Sequence, residues 1–374
     1  MMRIGINATC INDRPSGARQ RFVGLLAALA KQMPQEEFVV FEPADCRMDG
    51  WFAALPNVIT RKTPLDSTRR WQRYFRGLMY WHRVFAREQF DVFEALHLPA
   101  TRASSGKTLL TIHDVRGVYR GSGRLGRLIF RRVLRSSLAR ADRVVTVSKA
   151  MRAEITAFSD VTPVSVVCNG LDTKRFADVA PDFARQVSDR LQLPSDYLLA
   201  VGHFETRKNY RTLIDALVAL HHDGTRLPLV IVGNDSGERA RIMEQVLAAS
   251  MQSSVLLLSG LTDDEVRCIY LGASMLVFPS KYEGFGIPLL EAMASGIPIA
   301  ASDIAVFREI LGDAGYYFDP DSAPSMACAI SAISTDQALR ERLVARGAAR
   351  VSDFDFDILA REMAALYRMT AGYA

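Results

Sequence analysis

The sequence predicts an α/β protein built as two doubly wound, Rossmann-like domains facing each other across a cleft. Three observations lead there. The chain has 374 residues, more than one domain ordinarily takes, and its 49% apolar and 23% charged residues leave material for a core in each half. Short, nearly wholly apolar runs alternate with longer amphipathic segments, the pattern of a mainly parallel sheet covered on both faces by helices. That alternation occurs twice, with a polar stretch between, Thr173 to Asp196, which carries Pro181 and Pro194.

In the first series the expected strands include Arg3 to Asn7, Phe38 to Glu42, Thr108 to Ile112 and Arg143 to Val147, with helices such as Gln20 to Gln32 and Arg124 to Ala139 between them. The second runs Leu198 to Gly202, Leu229 to Gly233, Val255 to Ser259, Met275 to Pro279 and Ile297 to Ala301. The boundary is placed near residue 185, giving domains 1–185 and 186–354, with a C-terminal helix at about 355–374 packing back on the first. Tandem domains of this kind bind ligands in the cleft at the carboxyl ends of their strands, so chemistry is sought in the loops that follow them.

Composition narrows the function. A net charge of +5 is too small to make the whole chain a nucleic-acid binder, and the five cysteines form no C-x-x-C pair, which disfavours a zinc framework and fits a reducing compartment. Met1 to Asn7 enters a strand-like run without the apolar stretch of a signal peptide, and no run is long enough to span a membrane, so a cytoplasmic protein is expected. Gly5-Ile6-Asn7-Ala8-Thr9 lacks the G-x-G-x-x-G turn of a dinucleotide enzyme.

The most informative stretch is Pro279-Ser280-Lys281-Tyr282-Glu283-Gly284-Phe285-Gly286-Ile287-Pro288-Leu289-Leu290-Glu291. It follows the apolar run Met275 to Phe278 and opens a helix whose first turn tolerates Pro288. Gly284 and Gly286 allow backbone to approach a ligand, and the free amides of a helix start favour a phosphate. Glu283 sits in the loop, where it meets a reacting group; Glu291, about one turn into the helix, reaches a hydroxylated part further along.

Glu283 to Glu291 reproduces an E-x7-E motif, and with it the second half resembles family 4 retaining glycosyltransferases of the GT-B fold. Gly202-His203-Phe204-Glu205-Thr206-Arg207-Lys208-Asn209 is similar to the family's G-x-x-x-x-R-K-N segment, and Leu258 to Glu265, including Leu261, to its nucleotide-side loop. Ala301-Ser302-Asp303, Glu309 and Gly312-Asp313-Ala314-Gly315 resemble the segment after the motif helix. The resemblance covers about 145–320 well and the first half more loosely.

The resemblance implies that Lys208 and Arg207 stabilise a departing nucleoside diphosphate, that Glu283 acts at the reacting centre, and that Leu261, Gly284, Phe285, Gly286, Ile287 and Glu291 bind the donor. In the first half, Leu109-Leu110-Thr111-Ile112-His113-Asp114 ends an apolar strand in a histidine that the resemblance places near the donor sugar, and Gly17 falls where the family has a glycine close to the diphosphate. His97 is equally readable as a core residue and stays outside the catalytic set. No metal is expected, because no D-x-D stands where a metal-dependent transferase would hold a diphosphate-bound cation and the six histidines make no ligand spacing, and no cofactor beyond the nucleotide sugar is required.

The charge is uneven. Arg116 to Arg143 holds nine arginines and one acid, and Arg61 to Arg83 seven basic residues and one acid. Arg124, Arg127, Arg131 and Arg135 form one helical stripe beside Leu125, Leu128, Ile129 and Val133. With Trp71, Tyr74, Phe75, Tyr80 and Trp81 interleaved in the other stretch, an anionic membrane surface is the expected partner, on the inner face of the plasma membrane, and no nucleic acid. A solvated helix face, or an acceptor surface, is the alternative.

The expectation is therefore a metal-independent retaining glycosyltransferase that moves a sugar from a nucleotide diphosphate, GDP-mannose first among candidates, to a glycan or polyprenyl-diphosphate-linked acceptor in surface polysaccharide or lipopolysaccharide synthesis. The rivals are a nucleotide-sugar epimerase of the same two-domain fold and a non-catalytic protein that binds anionic lipid or nucleic acid.

Overall fold

The computed structural model describes residues 1–13, 16–118, 123–159, 162–173, 176 and 179–373, with the backbone alone at 70–72 and 74. The chain divides into two compact units, Met1–Gly170 with Phe356–Ala374, and Leu171–Asp355.

The first unit is built on a parallel sheet of order β3-β2-β1-β4-β5-β6-β7, from β1 (Arg3–Asn7), β2 (Glu37–Glu42), β3 (Val58–Lys62), β4 (Val92–Ala95), β5 (Lys107–Ile112), β6 (Arg143–Thr146) and β7 (Val164–Val166). The second has the order β10-β9-β8-β11-β12-β13, from β8 (Leu198–Val201), β9 (Leu229–Val232), β10 (Val255–Leu258), β11 (Met275–Phe278), β12 (Ile299–Ser302) and β13 (Tyr316–Phe318). Central strands such as Leu-Val-Ile-Val and Met-Leu-Val-Phe are buried throughout because helices cover both faces. In each sheet the strand order reverses beside the first strand, between β1 and β4 and between β8 and β11, which is where a doubly wound sheet opens a crevice at its carboxyl edge.

The division between the units falls at Gly170 and Leu171 rather than near residue 185. The reason is packing: the ring of Phe176 stands edge-on to Tyr270, and helix α5 (Pro181–Leu191), its Val187 buried, pairs Arg190 with Glu265, so the polar stretch read as a linker is already part of the second unit. The earlier helices are α1 (Gly17–Gln32), α2 (Arg70–Arg87), α3 (Gly123–Leu138) and α4 (Lys149–Phe158). Those of the second unit continue as α6 (Tyr210–His222), α7 (Arg239–Ala248), α8 (Asp263–Gly272), α9 (Ile287–Ala294), α10 (Ala305–Leu311), α11 (Ala323–Thr335) and α12 (Gln337–Val351).

The last helix, α13 (Phe356–Ala371), lies on α1 in the first unit. Its Leu359, Ala360, Met363 and Tyr367 are buried in the same core as Ile4, Leu25 and Leu29. Tyr367 also donates a 2.5 Å hydrogen bond to Oε2 of Glu94, a carboxyl buried in β4 that accepts from Thr111 as well. Gln32 at the end of α1 donates to the Asp357 carbonyl at 2.8 Å.

Tyr367→Phe should therefore cost about 1.5 to 3 kcal/mol in a denaturant titration, since it removes a donor from a buried carboxyl without changing shape. A cost below about 0.5 kcal/mol would show that this bond does not tie the helix down.

Candidate active site

In the second unit the loops that leave the two adjacent strands β8 and β11 meet. Lys281 N–H donates to the Arg207 carbonyl at 2.9 Å, and Arg207 Nη1 returns a bond to the Tyr282 carbonyl at 3.2 Å. The loop after β8 makes one tight turn, Thr206–Lys208, closed by Asn209 in the left-handed region at φ 59°. Asn209 is held there by Thr212, which donates to its side chain at 2.8 Å, and by its own bond to the Pro320 carbonyl at 2.7 Å. This turn sends Lys208 back across Gly202, where a Cβ would lie 2.5 Å from Lys208 Cε. Gly202 has φ 143°, so both its backbone and the lysine stem above it require glycine.

Three donors converge on one oxygen of Glu283. Arg207 Nη1 lies 2.6 Å, Lys208 Nζ 2.7 Å and Ser280 Oγ 2.9 Å from Oε1. Arg207 is also paired through Nε with Glu205 at 2.7 Å, and Lys208 Nζ stands 4.8 Å above the ring of Phe278. Burial alone would push the Glu283 carboxyl up, but Lys208 and Arg207 together hold it below the usual carboxylate range. Burial likewise lowers the Lys208 ammonium, and the attraction of Glu283 does not fully restore it. Arg207 loses to burial but gains more from Glu283 and Glu205, so it is raised. Chemically this is a pair of cations, oriented and largely desolvated, beside a turn where backbone is bare.

That turn leads into α9. Gly286 caps it at φ 118°, a conformation closed to residues with a Cβ, and Pro288 occupies its first turn. Phe285 is buried against Phe354 with ring centroids 5.9 Å apart, while Gly284 and Ile287 remain half-buried. Glu291 accepts a 2.8 Å hydrogen bond from the Tyr270 hydroxyl. Burial pushes its carboxyl up to about 7. Leu261, half-buried, precedes α8, whose start is a capping box: Thr262 accepts from Glu265 N–H, and the Glu265 carboxylate accepts from Thr262 N–H.

The expected residues of the first unit lie on its own elements. His113, at the end of β5, is half-buried and lines a crevice under α1 with Arg21, Glu94, Leu96 and Tyr367. Burial, aided by the charge of Arg21, lowers its imidazole to about 3, so it is neutral at physiological pH. Gly17 is the first residue of α1, capped by Ser16, which accepts from Arg19 N–H at 3.2 Å; Arg14 and Pro15 of that loop lie outside the described residues. His97 bonds to Thr9 Oγ1 at 3.1 Å and is held to about 4, chiefly by burial.

On α3, Arg124, Arg131 and Arg135 are exposed and Arg127 half-buried, and Leu125 is 69% exposed. Arg131 and Arg135 lie over the Phe158 ring at 5.3 and 5.2 Å. One expectation fails here: Trp81 is core, packed edge-on to Phe41 and Phe93, and Tyr80 leans on it, so neither supplies an exposed aromatic. α2 is amphipathic, and it is the apolar cluster of Phe41, Phe90 and Phe93 that takes Trp81 into the core. Phe75 is exposed at 61%, whereas the side chains of Trp71 and Tyr74 are outside the described residues.

Sequence reasoning gave no role to Ser280, Glu205 or Tyr270, which hold Glu283, Arg207 and Glu291 in place. Ser280 carried a signal, since it stands three residues before Glu283 in the same turn; Tyr270 carried none, being one apolar position of an ordinary helix.

Two family models match, one described as "Glycosyl transferases group 1" over residues 186–350 and one as "Glycosyltransferase Family 4" over residues 16–175. The O-antigen chain mannosyltransferase B of Escherichia coli is 30% identical over 227 residues, 60% of this chain and 60% of its own length. A phosphatidyl-myo-inositol mannosyltransferase of Mycolicibacterium smegmatis is 32% identical over 208 residues, 54% of this chain and 51% of its own. The match thus spans little more than half of these relatives. The sucrose-phosphate synthase structure from Thermosynechococcus elongatus superposes over 100% of both chains with a TM-score of 0.77 at 20% identity, a likeness of GT-B fold. Among the described residues no helix is long and apolar enough to cross a membrane.

Glu291 gives this site a pH signature in stability. Its carboxyl stands at about 7 when folded against an ordinary 4.5, so the folded state keeps a proton that the unfolded chain has released. Its contribution is full below about 4.5 and is lost as pH rises through 7. Glu283 acts oppositely and lower, losing stability as pH falls through its depressed value. Melting temperatures of Glu291→Gln and wild type should therefore diverge between about pH 5 and pH 8, the variant losing less with rising pH; parallel profiles would mean that Glu291 is ionised throughout.

Proposed function

The chain belongs to glycosyltransferase family 4, and from that membership we propose that it is a retaining, metal-independent glycosyltransferase using a nucleotide diphosphate sugar. The observation that carries the proposal is the convergence of Arg207 and Lys208, 2.6 and 2.7 Å from a single Glu283 oxygen, beside the glycine turn that starts α9. A diphosphate leaving group needs fixed positive charge where its own charge develops, and cations already oriented and desolvated supply it without reorganisation. In this reading the N–H groups at the start of α9, with Gly284, Phe285, Gly286 and Ile287, receive the diphosphate. Leu261 and Glu291 hold the nucleoside side.

Glu283, held ionised by its two cations, faces the reacting sugar and not the leaving group. It is an orienting and electrostatic group. Retention then proceeds by attack on the face that the leaving group vacates, with the departing phosphate accepting the acceptor's proton. His113, kept neutral, offers a ring N–H to a sugar hydroxyl, and Gly17 opens backbone to the diphosphate.

Mannose from GDP-mannose is the proposed donor, supported by the mannosyltransferase relatives. The acceptor is proposed to be a glycan or a lipid-linked saccharide of the bacterial surface. The exposed arginines of α3, with Leu125, Leu128 and Ile129 exposed beside them and Phe75, Leu78 and Met79 exposed on α2, support a lipid-facing surface in the first unit.

Labelled nucleotide sugars test the reaction class. A transferase releases nucleoside diphosphate only with acceptor present; conversion of the free donor would mark an epimerase, and neither outcome a binding module. Lys208→Ala should lose about 2 to 4 kcal/mol of transition-state stabilisation, roughly 30-fold to 1,000-fold in kcat/KM per folded molecule, alongside a loss of stability because Glu283 gives up a buried partner. Near-normal turnover of that variant would remove Lys208 from the phosphate site.

Replacing Arg124, Arg127, Arg131 and Arg135 with Ser should reduce co-sedimentation with anionic vesicles and spare transfer to a short soluble acceptor. Wild-type binding should fade as salt shortens the Debye length from about 10 Å toward about 3 Å, each basic residue contributing roughly 1 kcal/mol. Equal co-sedimentation of both proteins would leave the stripe a solvated face, and collapse of soluble turnover would place it in the acceptor site.

A further inference from the structure

Helix α8 turns one face toward Glu291. Tyr270 lies two turns beyond Asp263 on that face and is fully buried, wedged edge-on against Phe176 with ring centroids 6.0 Å apart. Its hydroxyl donates to Glu291 Oε2 at 2.8 Å. A tyrosine packed this way has almost no rotamer freedom, so the bond fixes the plane of the carboxyl as well as one of its oxygens. Glu291 is itself half-buried, and its Oε1 accepts no hydrogen bond among the described residues.

We propose that Tyr270 is a positioning residue for donor capture: by occupying Oε2 of Glu291 it presents Oε1, as carboxylate, to a hydroxyl of the nucleotide sugar. This rests on the reading of Glu291 as a donor ligand.

The ionised carboxyl accepts strongly with both oxygens, one for each hydroxyl; in the protonated form one oxygen carries the proton and becomes a donor and a poor acceptor. Binding therefore selects the ionised form and expels a proton. The groups that act on Glu291 are Tyr270 and Asp263 from α8 and Lys208 from the loop after β8. Burial raises the carboxyl most, to about 7; the Tyr270 bond lowers it, Asp263 raises it, and Lys208 lowers it. Donor affinity should then rise with pH until the group is ionised in the free protein and level off above about 7. Without the tyrosine hydroxyl the charged form loses a stabilising bond, and the same curve moves to higher pH.

Calorimetric titrations with GDP-mannose and with UDP-glucose from about pH 6 to about pH 8.5 test this, because neither diphosphate diester titrates in that range. In buffers of different ionisation heat, wild type should release about half a proton per donor near pH 7. Tyr270→Phe should displace the affinity curve upward by about one pH unit, on top of a pH-independent loss from the freed carboxyl, so that binding weakens about tenfold more on the acid side than on the alkaline side. Glu291→Gln should bind weakly at every pH with no proton release. A Tyr270→Phe curve that superimposes on wild type, or is weakened equally at all pH values, overturns the inference while a weakened Glu291→Gln leaves the donor site standing. A Glu291→Gln protein that binds like wild type, or a wild type that binds neither sugar nucleotide, sinks the donor reading itself. Should Tyr270→Phe fail to fold, the wild-type measurement decides: donor binding at pH 7 without proton release refutes the coupling.

Discussion

The second unit is organised around one oxygen. Oε1 of Glu283 receives Arg207, Lys208 and Ser280 within 2.6 to 2.9 Å, and those three side chains come from loops after two different strands. Bringing two cations and a carboxylate out of water costs several kcal/mol per ion, a cost offset only when geometry is good and every ion is partnered. Everything nearby serves that condition. Gly202 clears the path of the lysine stem, Asn209 accepts a left-handed backbone so that the turn can close, and Glu205 takes the second side of the guanidinium. With Glu205 included, the cluster holds two positive and two negative groups. The cluster is therefore balanced in charge, and what it offers an anion is the placement of its cations, not a surplus of them.

The sequence made the alternation of strands and helices legible because central strands such as Leu-Val-Ile-Val and Met-Leu-Val-Phe are apolar at every position. It hid others for the same physical reason reversed. β3 is an edge strand with Arg61 and Lys62 in it, β13 is three residues long, and β4 carries Glu94 at its centre. A charged residue inside a strand reads as surface unless its buried partners, here Thr111 and Tyr367, are known, and Tyr367 lies 273 residues away. The site followed the same rule. Residues that touch one another through a short turn, from Glu283 to Glu291 and from Gly202 to Asn209, were readable as motifs. Residues that act from a neighbouring element were not, and Tyr270 is the clearest case, since nothing in α8 distinguishes it from a core aromatic.

The aromatic residues of α2 show where composition misleads. Trp81 and Phe75 are six residues apart in the same basic stretch, yet one fills the core against Phe41 and Phe93 and the other is 61% exposed. A count of aromatics among arginines cannot separate these fates, because both suit an amphipathic helix. What separates them is the sheet beneath: Phe41, Phe90 and Phe93 form an apolar cluster that needs one large ring to close it, and Trp81 is the ring that reaches.

The chain path adds a constraint on assembly. The first unit consists of Met1–Gly170 and Phe356–Ala374, with the whole of the second unit between them. Until α13 is made, the core around Ile4, Leu25 and Leu29 lacks Leu359, Ala360, Met363 and Tyr367, and Glu94 lacks one of its two hydrogen-bond donors. A buried carboxyl short of one donor and an open apolar face both oppose folding, so residues 1–170 form an incomplete domain. The second unit, being continuous from Leu171 to Asp355, has no such dependence on a later segment. The first unit is thus closed by a contact of very long sequence separation, between α13 and the core that it covers.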